Sequence, residues 1–291
     1  MKNVSLVISS GGARGFAAIG IIEELEKNGY KIKSVAGCSI GSLITGMYAS
    51  GNLPEFKKWI LKLTRKEIFR LMDFTISTQG VLKGDKVFKE IQKTFKDVEI
   101  EKLNIPYAAV AVDLLSHKEV VFTKGSLFEA VRASCSIPSL VSPVKKNNKI
   151  LVDGGINNPL PFSVVKRTKN DILIGIDLNS FDKYGKQTSG NYFYDYYRYL
   201  ETISNYLPKS LREYIKKSDE GVGGYMDISS RTFQIMQDKI IQNSIENHGP
   251  NMVFEVPRNT CNMFNFMQAE KLIKLGRSIA AKKLSSFKRN S

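Results

Sequence analysis

The pentapeptide Gly37-Cys38-Ser39-Ile40-Gly41 constrains this chain more than any other stretch. A short apolar run, Ser34 to Cys38, leads into it. A run with helical spacing, Ile40 to Tyr48, leads out and stops before Gly51. This layout predicts a strand that turns sharply into a helix, with a serine at the turn. Such a turn projects the hydroxyl upward, and flanking glycines tolerate the tight backbone. The helix N-terminus beneath the serine favours developing negative charge. Glycine and serine are common, so the pattern alone is weak. Its place between strand and helix makes Ser39 a candidate nucleophile.

The rest of the chain repeats that rhythm. Val4 to Ser9, Pro106 to Asp113, Glu119 to Thr123, Ile150 to Asp153 and Asp171 to Asp177 read as strands. Phe16 to Asn28, Ser229 to Asn247 and Gln268 to Ser285 read as helices. Ser126-Leu127-Phe128-Glu129 is a capping box that opens another helix through Arg132. Strands alternating with helices predict an α/β fold, a three-layer α/β/α sandwich with a mainly parallel sheet and the serine turn after an early strand. With 291 residues and 42% hydrophobic content, residues 1–291 read as one domain. A tyrosine-rich stretch at about 179–226 breaks the rhythm and reads as an elaboration on the core.

Two further glycine motifs carry chemistry. Gly11-Gly12-Ala13-Arg14-Gly15 lies between a strand and a helix. Consecutive glycines let backbone N–H groups point at an anion, and Arg14 adds a positive charge nearby. An acyl-transfer site needs such donors where the oxyanion forms. Neither Gly-x-Gly-x-x-Gly nor a Gly-Lys-Ser/Thr loop is present, which argues against a nucleotide site. Asp153-Gly154-Gly155 ends a strand, where an aspartate faces the crevice of a parallel sheet; alone, it reads more simply as a turn. The chain has two histidines. His117 sits in a polar turn. His248 completes the order Ser39, Asp153, His248, but only one strand and one helix precede Ser39, too few for the α/β-hydrolase fold that uses this order.

The four motifs together resemble the patatin-like phospholipase family, of the bacterial single-domain kind. The oxyanion loop matches Gly11 to Gly15 and the nucleophile turn Gly37 to Gly41. A small-residue block with a proline matches Arg132-Ala133-Ser134-Cys135-Ser136-Ile137-Pro138, and the Asp-Gly-Gly motif matches Asp153 to Gly155. The resemblance spans about residues 4 to 177. It implies a lipid acyl-ester hydrolase that uses a Ser39–Asp153 dyad without histidine. The amides of Gly11 and Gly12, with Arg14 nearby, would stabilise the oxyanion. Gly37, Gly41, Gly154, Gly155 and Pro138 would support the motifs. An ordinary aspartate, with a pKa of about 3.9, is a poor base at neutral pH, so Asp153 needs burial or tuned hydrogen bonds. The alternatives are an acyltransferase of related fold and a non-catalytic module that binds anionic lipid.

Composition sets the remaining expectations. Three cysteines form neither a disulfide framework nor a metal site, so no metal or cofactor is expected. The apolar run at the start is too short for a signal-peptide core, which predicts a cytoplasmic protein, with the inner membrane face as a peripheral location. A net charge of +15 attracts polyanions. With the family resemblance, the expected partners are a lipid ester substrate and an anionic membrane surface, with no nucleic acid. Within Glu55 to Met72, Phe56, Trp59, Ile60 and Leu63 share one helical face. Lys58, Lys62, Arg65 and Lys66 gather on another. The pattern suits an interfacial helix that docks through Phe56, Trp59, Lys58 and Lys62, or an ordinary core-packed helix with a basic solvent face.

Overall fold

The computed structural model describes residues 2–71, 74–77, 80–82, 84–138, 140–181 and 225–289. The tyrosine-rich stretch falls largely within 182–224, and so lies outside the described residues.

Strand β1 (Lys2–Ile8) is buried on both faces from Val4 onward, as a continuous apolar run demands. Helix α1 (Phe16–Lys27) follows, then β2 (Tyr30–Cys38) and α2 (Ile40–Ala49). β2 starts earlier than its apolar run suggests, because exposed Lys31 alternates with buried Ile32. Next come α3 (Leu53–Lys62), α4 (Arg65–Leu71), a hairpin of β3 (Phe74–Ser77) and β4 (Gly80–Leu82), and α5 (Asp85–Thr94). The second half holds β5 (Tyr107–Asp113), β6 (Lys118–Phe122), α6 (Leu127–Ser134), β7 (Val144–Lys146), β8 (Lys149–Asp153) and β9 (Ile172–Ser180). Helix α7 (Tyr225–His248), β10 (Met252–Pro257) and α8 (Ala269–Arg289) close the described chain. The capping reading holds at α6, where Ser126 Oγ accepts from the Glu129 amide at 3.0 Å.

The main sheet has eight strands in the order β10-β9-β1-β2-β5-β8-β7, with β6 also on β5. The pairings β10–β9, β9–β1, β1–β2 and β2–β5 are parallel, and those among β5, β6, β7 and β8 are antiparallel. Successive β1 side chains point to opposite faces, so Leu6 and Ile8 join one core while Val7 joins the other. The larger core packs against α1, α2 and α8; the smaller takes Ile241 from α7. Helices thus cover both faces of a mostly parallel sheet, a three-layer α/β/α sandwich.

The register around β5 positions the site. β6 pairs with Ala109–Asp113, β2 with Tyr107–Val110 and β8 with Ala111–Asp113. A strand residue has one neighbour on each edge, so β2 and β8, which both overlap β6, share the other edge of β5. β2 climbs that edge to place Cys38 opposite Val110. β8 descends it to place Asp153 opposite Ala111. The two strands therefore meet end to end.

Candidate active site

Ser39 follows the last residue of β2, and Asp153 is the last residue of β8. The meeting of these two strands brings their side chains close, near enough for the Ser39 hydroxyl to favour the ionised Asp153 carboxylate. The approach differs from the sequence expectation. Asp153 was read at the crevice end of a parallel strand, yet β8 runs antiparallel to β5. What delivers the carboxylate is the shared edge.

The serine turn is strained. Ser39 has φ 55° and ψ −126°, a left-handed conformation that costs a residue with a side chain free energy. Its surroundings hold it there. The Ser39 amide donates to Ser134 Oγ at 2.9 Å, and its carbonyl accepts from the Ser42 amide at 2.9 Å. The two flanking glycines permit a close crossing: a Cβ on Gly37 would lie 2.3 Å from Gly41, and one on Gly41 would lie 2.3 Å from the Ile8 carbonyl oxygen. The small-residue block, which begins in the last turn of α6, serves both partners, because the Ser136 carbonyl accepts from the Asp153 amide at 2.9 Å. Pro138 lies in the loop that follows.

Burial sets the charge state of the aspartate. Removal from water pushes the Asp153 carboxyl up to about 6, against the opposing influence of the nearby Ser39 hydroxyl, the Gly155 amide and the Cys38 thiol. The Gly155 amide donates to Oδ1 at 2.7 Å, and Cys38 Sγ donates to the same oxygen at 3.5 Å. Burial and the neighbouring carboxylate raise the Cys38 thiol well above its usual range, which keeps it a protonated donor.

The glycine loop lies beside the serine. Gly12 has φ 57°, and a Cβ there would lie 2.4 Å from the Met263 carbonyl oxygen. That carbonyl accepts from the Ala13 amide at 2.7 Å, while the Gly11 and Gly12 amides have no acceptor among the described residues. Arg14 departs from expectation. It is 2% exposed; Nη1 donates to the Arg258 carbonyl at 3.0 Å and Nη2 to Asn179 Oδ1 at 2.8 Å. These bonds brace the loop against β9 and the segment after β10.

An apolar cavity of about 180 Å³ contains Ser39 and Gly12 in its wall. Leu43, Phe56, Ile60, Val87 and Phe264 are among its other lining residues. Of the two readings of the segment from Glu55, the packing of its apolar residues matches the helix that faces the core. Phe56 is 1% exposed and Trp59 is half-buried against Phe56 and Phe95, with ring centroids 5.8 and 6.2 Å away. Their face turns inward to the core and the cavity, while Lys58, Lys62, Arg65 and Lys66 are exposed. Met72 lies outside the described residues. The histidines stand apart: His117 is in an exposed turn, and His248, also exposed, bonds the Ser244 carbonyl at 2.8 Å and faces Phe162. Among the described residues no cluster of His, Cys, Asp or Glu is arranged to hold a metal ion, and no helix is long and apolar enough to cross a membrane.

A strained serine on a strand–helix turn, beside a buried carboxylate over a mostly parallel sheet, places the chain in the α/β/α class. Comparison with known proteins narrows this. The family model described as patatin-like phospholipase matches residues 6–166, and the chain belongs to that family. An uncharacterized NTE family protein of Mycobacterium tuberculosis is 31% identical, over 98% of this chain and 92% of its own. The neuropathy target esterase sws of Drosophila melanogaster is 33% identical over 65% of this chain and 14% of its own length. The human patatin-like phospholipase domain-containing protein 6 is 31% identical over 65% and 14%. Family membership and these relatives support lipid hydrolase activity.

Proposed function

We propose that this protein hydrolyses acyl esters of lipids through a Ser39–Asp153 dyad and an acyl-enzyme intermediate. One observation carries the reading: Ser39 stands beside a buried aspartate, whose ionised form its hydroxyl favours, and borders an apolar cavity. The cavity suits an acyl chain, since burying each methylene contributes about 0.8 kcal/mol. Ser39 Oγ attacks the ester carbonyl as Asp153 takes its proton. The Gly11 and Gly12 amides hold the oxyanion, and Asp153 returns the proton to the leaving alcohol. Water then attacks the acyl-serine, gives a proton to Asp153, and the acid leaves as Ser39 regains that proton. A base near pKa 6 is ionised at neutral pH yet still accepts a proton in the transition state.

The charge of +15 supports work at an anionic membrane surface, where each basic residue near the headgroups contributes about 1 kcal/mol. Phospholipid, lysophospholipid and neutral glyceride all fit an apolar cavity. Purified protein incubated with each class, with products separated by chromatography, identifies the substrate. A fluorophosphonate should label the wild type. Ser39→Ala should lose both labelling and hydrolysis while its circular dichroism stays native. Labelling that persists in Ser39→Ala sinks the proposal.

A further inference from the structure

Helix α7 lies beyond the residues matched by the family model, yet it touches the site. Gln237, on its inward face, is 2% exposed. Its Nε2 donates to the Gly155 carbonyl at 2.8 Å, and the Gly155 amide donates to Asp153 Oδ1 at 2.7 Å. One residue, Gly155, therefore links the glutamine to Asp153. The contact is close on every side. A Cβ on Gly155 would lie 2.9 Å from Gln237 Nε2, 3.0 Å from Asp153 Oδ1 and 3.4 Å from Ser10 Oγ.

The other end of the same side chain shows that packing alone does not explain it. Gln237 Oε1 is buried and has no hydrogen-bond partner among the described residues. An orphaned buried amide oxygen is unfavourable, and a leucine or methionine would fill the space without it. The neighbouring turn of α7 makes a second, separate connection. Gln234 Oε1 and the Asp238 carboxylate both accept from Arg258, whose carbonyl accepts from Arg14 of the glycine loop. Thus α7 reaches the aspartate through Gln237 and the glycine loop through Arg258.

We propose that Gln237 is a positioning residue for Asp153, holding the backbone of Gly155 through its carbonyl so that the Gly155 amide stays on the carboxylate. This rests on the dyad reading. The Gly155 bond favours the ionised carboxylate, so loosening it disfavours the basic form. The titratable group bonded to Asp153 is Cys38 on β2, and Cys135, at the end of α6, is the other thiol close to it. Both thiols are raised by burial and stay neutral across the acidic range, so neither supplies a competing titration.

The test is the rate of fluorophosphonate labelling from pH 5 to 9 in the wild type, Gln237→Met, Gln237→Glu, Gln234→Met and Asp153→Asn. The acid limb should move about one pH unit upward in Gln237→Met, making labelling about five- to tenfold slower at pH 5–6 and converging with the wild type near pH 9. Gln237→Glu keeps the volume and should shift the limb the same way, so it decides the matter if Gln237→Met does not fold. Gln234→Met is as buried a change but touches Arg258, and it should leave the acid limb in place. A wild-type acid limb in folded Gln237→Met or Gln237→Glu overturns the proposal while leaving the dyad intact. The same is true of an equal shift in Gln234→Met. Asp153→Asn that labels at the wild-type rate overturns both.

Discussion

At the residue scale, the site combines strain with costly burial. Ser39 holds a left-handed backbone and Asp153 a carboxyl raised to about 6 by burial. An unfolded aspartate titrates near 3.9 and the folded one near 6, so the folded chain binds the proton more tightly. The stability this contributes is full below about pH 3.9 and is lost as pH rises through 6. Asp153→Asn mimics the protonated form. It should be inactive yet more stable than the wild type at pH 8, by about 1–3 kcal/mol, with no gain at pH 3.5. Thermal melts at the two pH values check this, and an equal gain at both would contradict it. Gly41→Ala should do the opposite. Its Cβ would lie 2.3 Å from the Ile8 carbonyl oxygen, so a loss of about 3 kcal/mol or more is expected in denaturant melts, together with loss of labelling. Ser39, Asp153 and the glycines around them were legible in the sequence because their spacing marks turns. Gln237 was not, since a lone glutamine in a helix carries no local signal and only burial distinguishes it.

At the element scale, α3 shows where periodicity stops informing. Its pattern identifies an apolar face and a basic face, but an apolar face is the same whether it meets lipid or protein. The structure turns Phe56 and Ile60 into the core and cavity. Trp59 is the only tryptophan in the chain, and it lines that cavity. Its emission should therefore change when a long-chain fluorophosphonate reacts with Ser39 in vesicle-free buffer, and change little with a short-chain one. No change with either would place the acyl chain elsewhere. Filling the cavity tests the same idea by activity. Val87 on α5 lines it, so Val87→Phe should slow palmitoyl-ester hydrolysis about tenfold relative to butyryl ester. Helix α5 itself was missed in the sequence because its ten residues bury only Ile91. β10 was missed because its alternating burial is weak evidence in six residues.

At the scale of the whole molecule, net charge is the property that bears on the proposed membrane surface. A charge of +15 should drive adsorption to anionic vesicles, and the attraction should weaken as salt shortens the screening length to about 8 Å at 0.15 M. Co-sedimentation with anionic and with zwitterionic vesicles over a salt series measures it. Equal binding to both, unaffected by salt, would mean that charge does not direct this protein to membranes.

The serine turn, the glycine loop, the fold class and the strands and helices with a strong apolar pattern were present in local sequence. Each depends on the period of apolar residues or on glycines at a turn, which neighbours in sequence specify. Three features came only from the tertiary structure. The antiparallel arrival of β8 depends on which edge of β5 it takes, a choice between strands distant in sequence. The inward turn of α3 depends on what packs against it. Arg14 became a brace because Asn179 and the Arg258 carbonyl, more than 160 residues away in sequence, reach its guanidinium first. A sequence states what each side chain can do, and long-range packing decides which partner it meets.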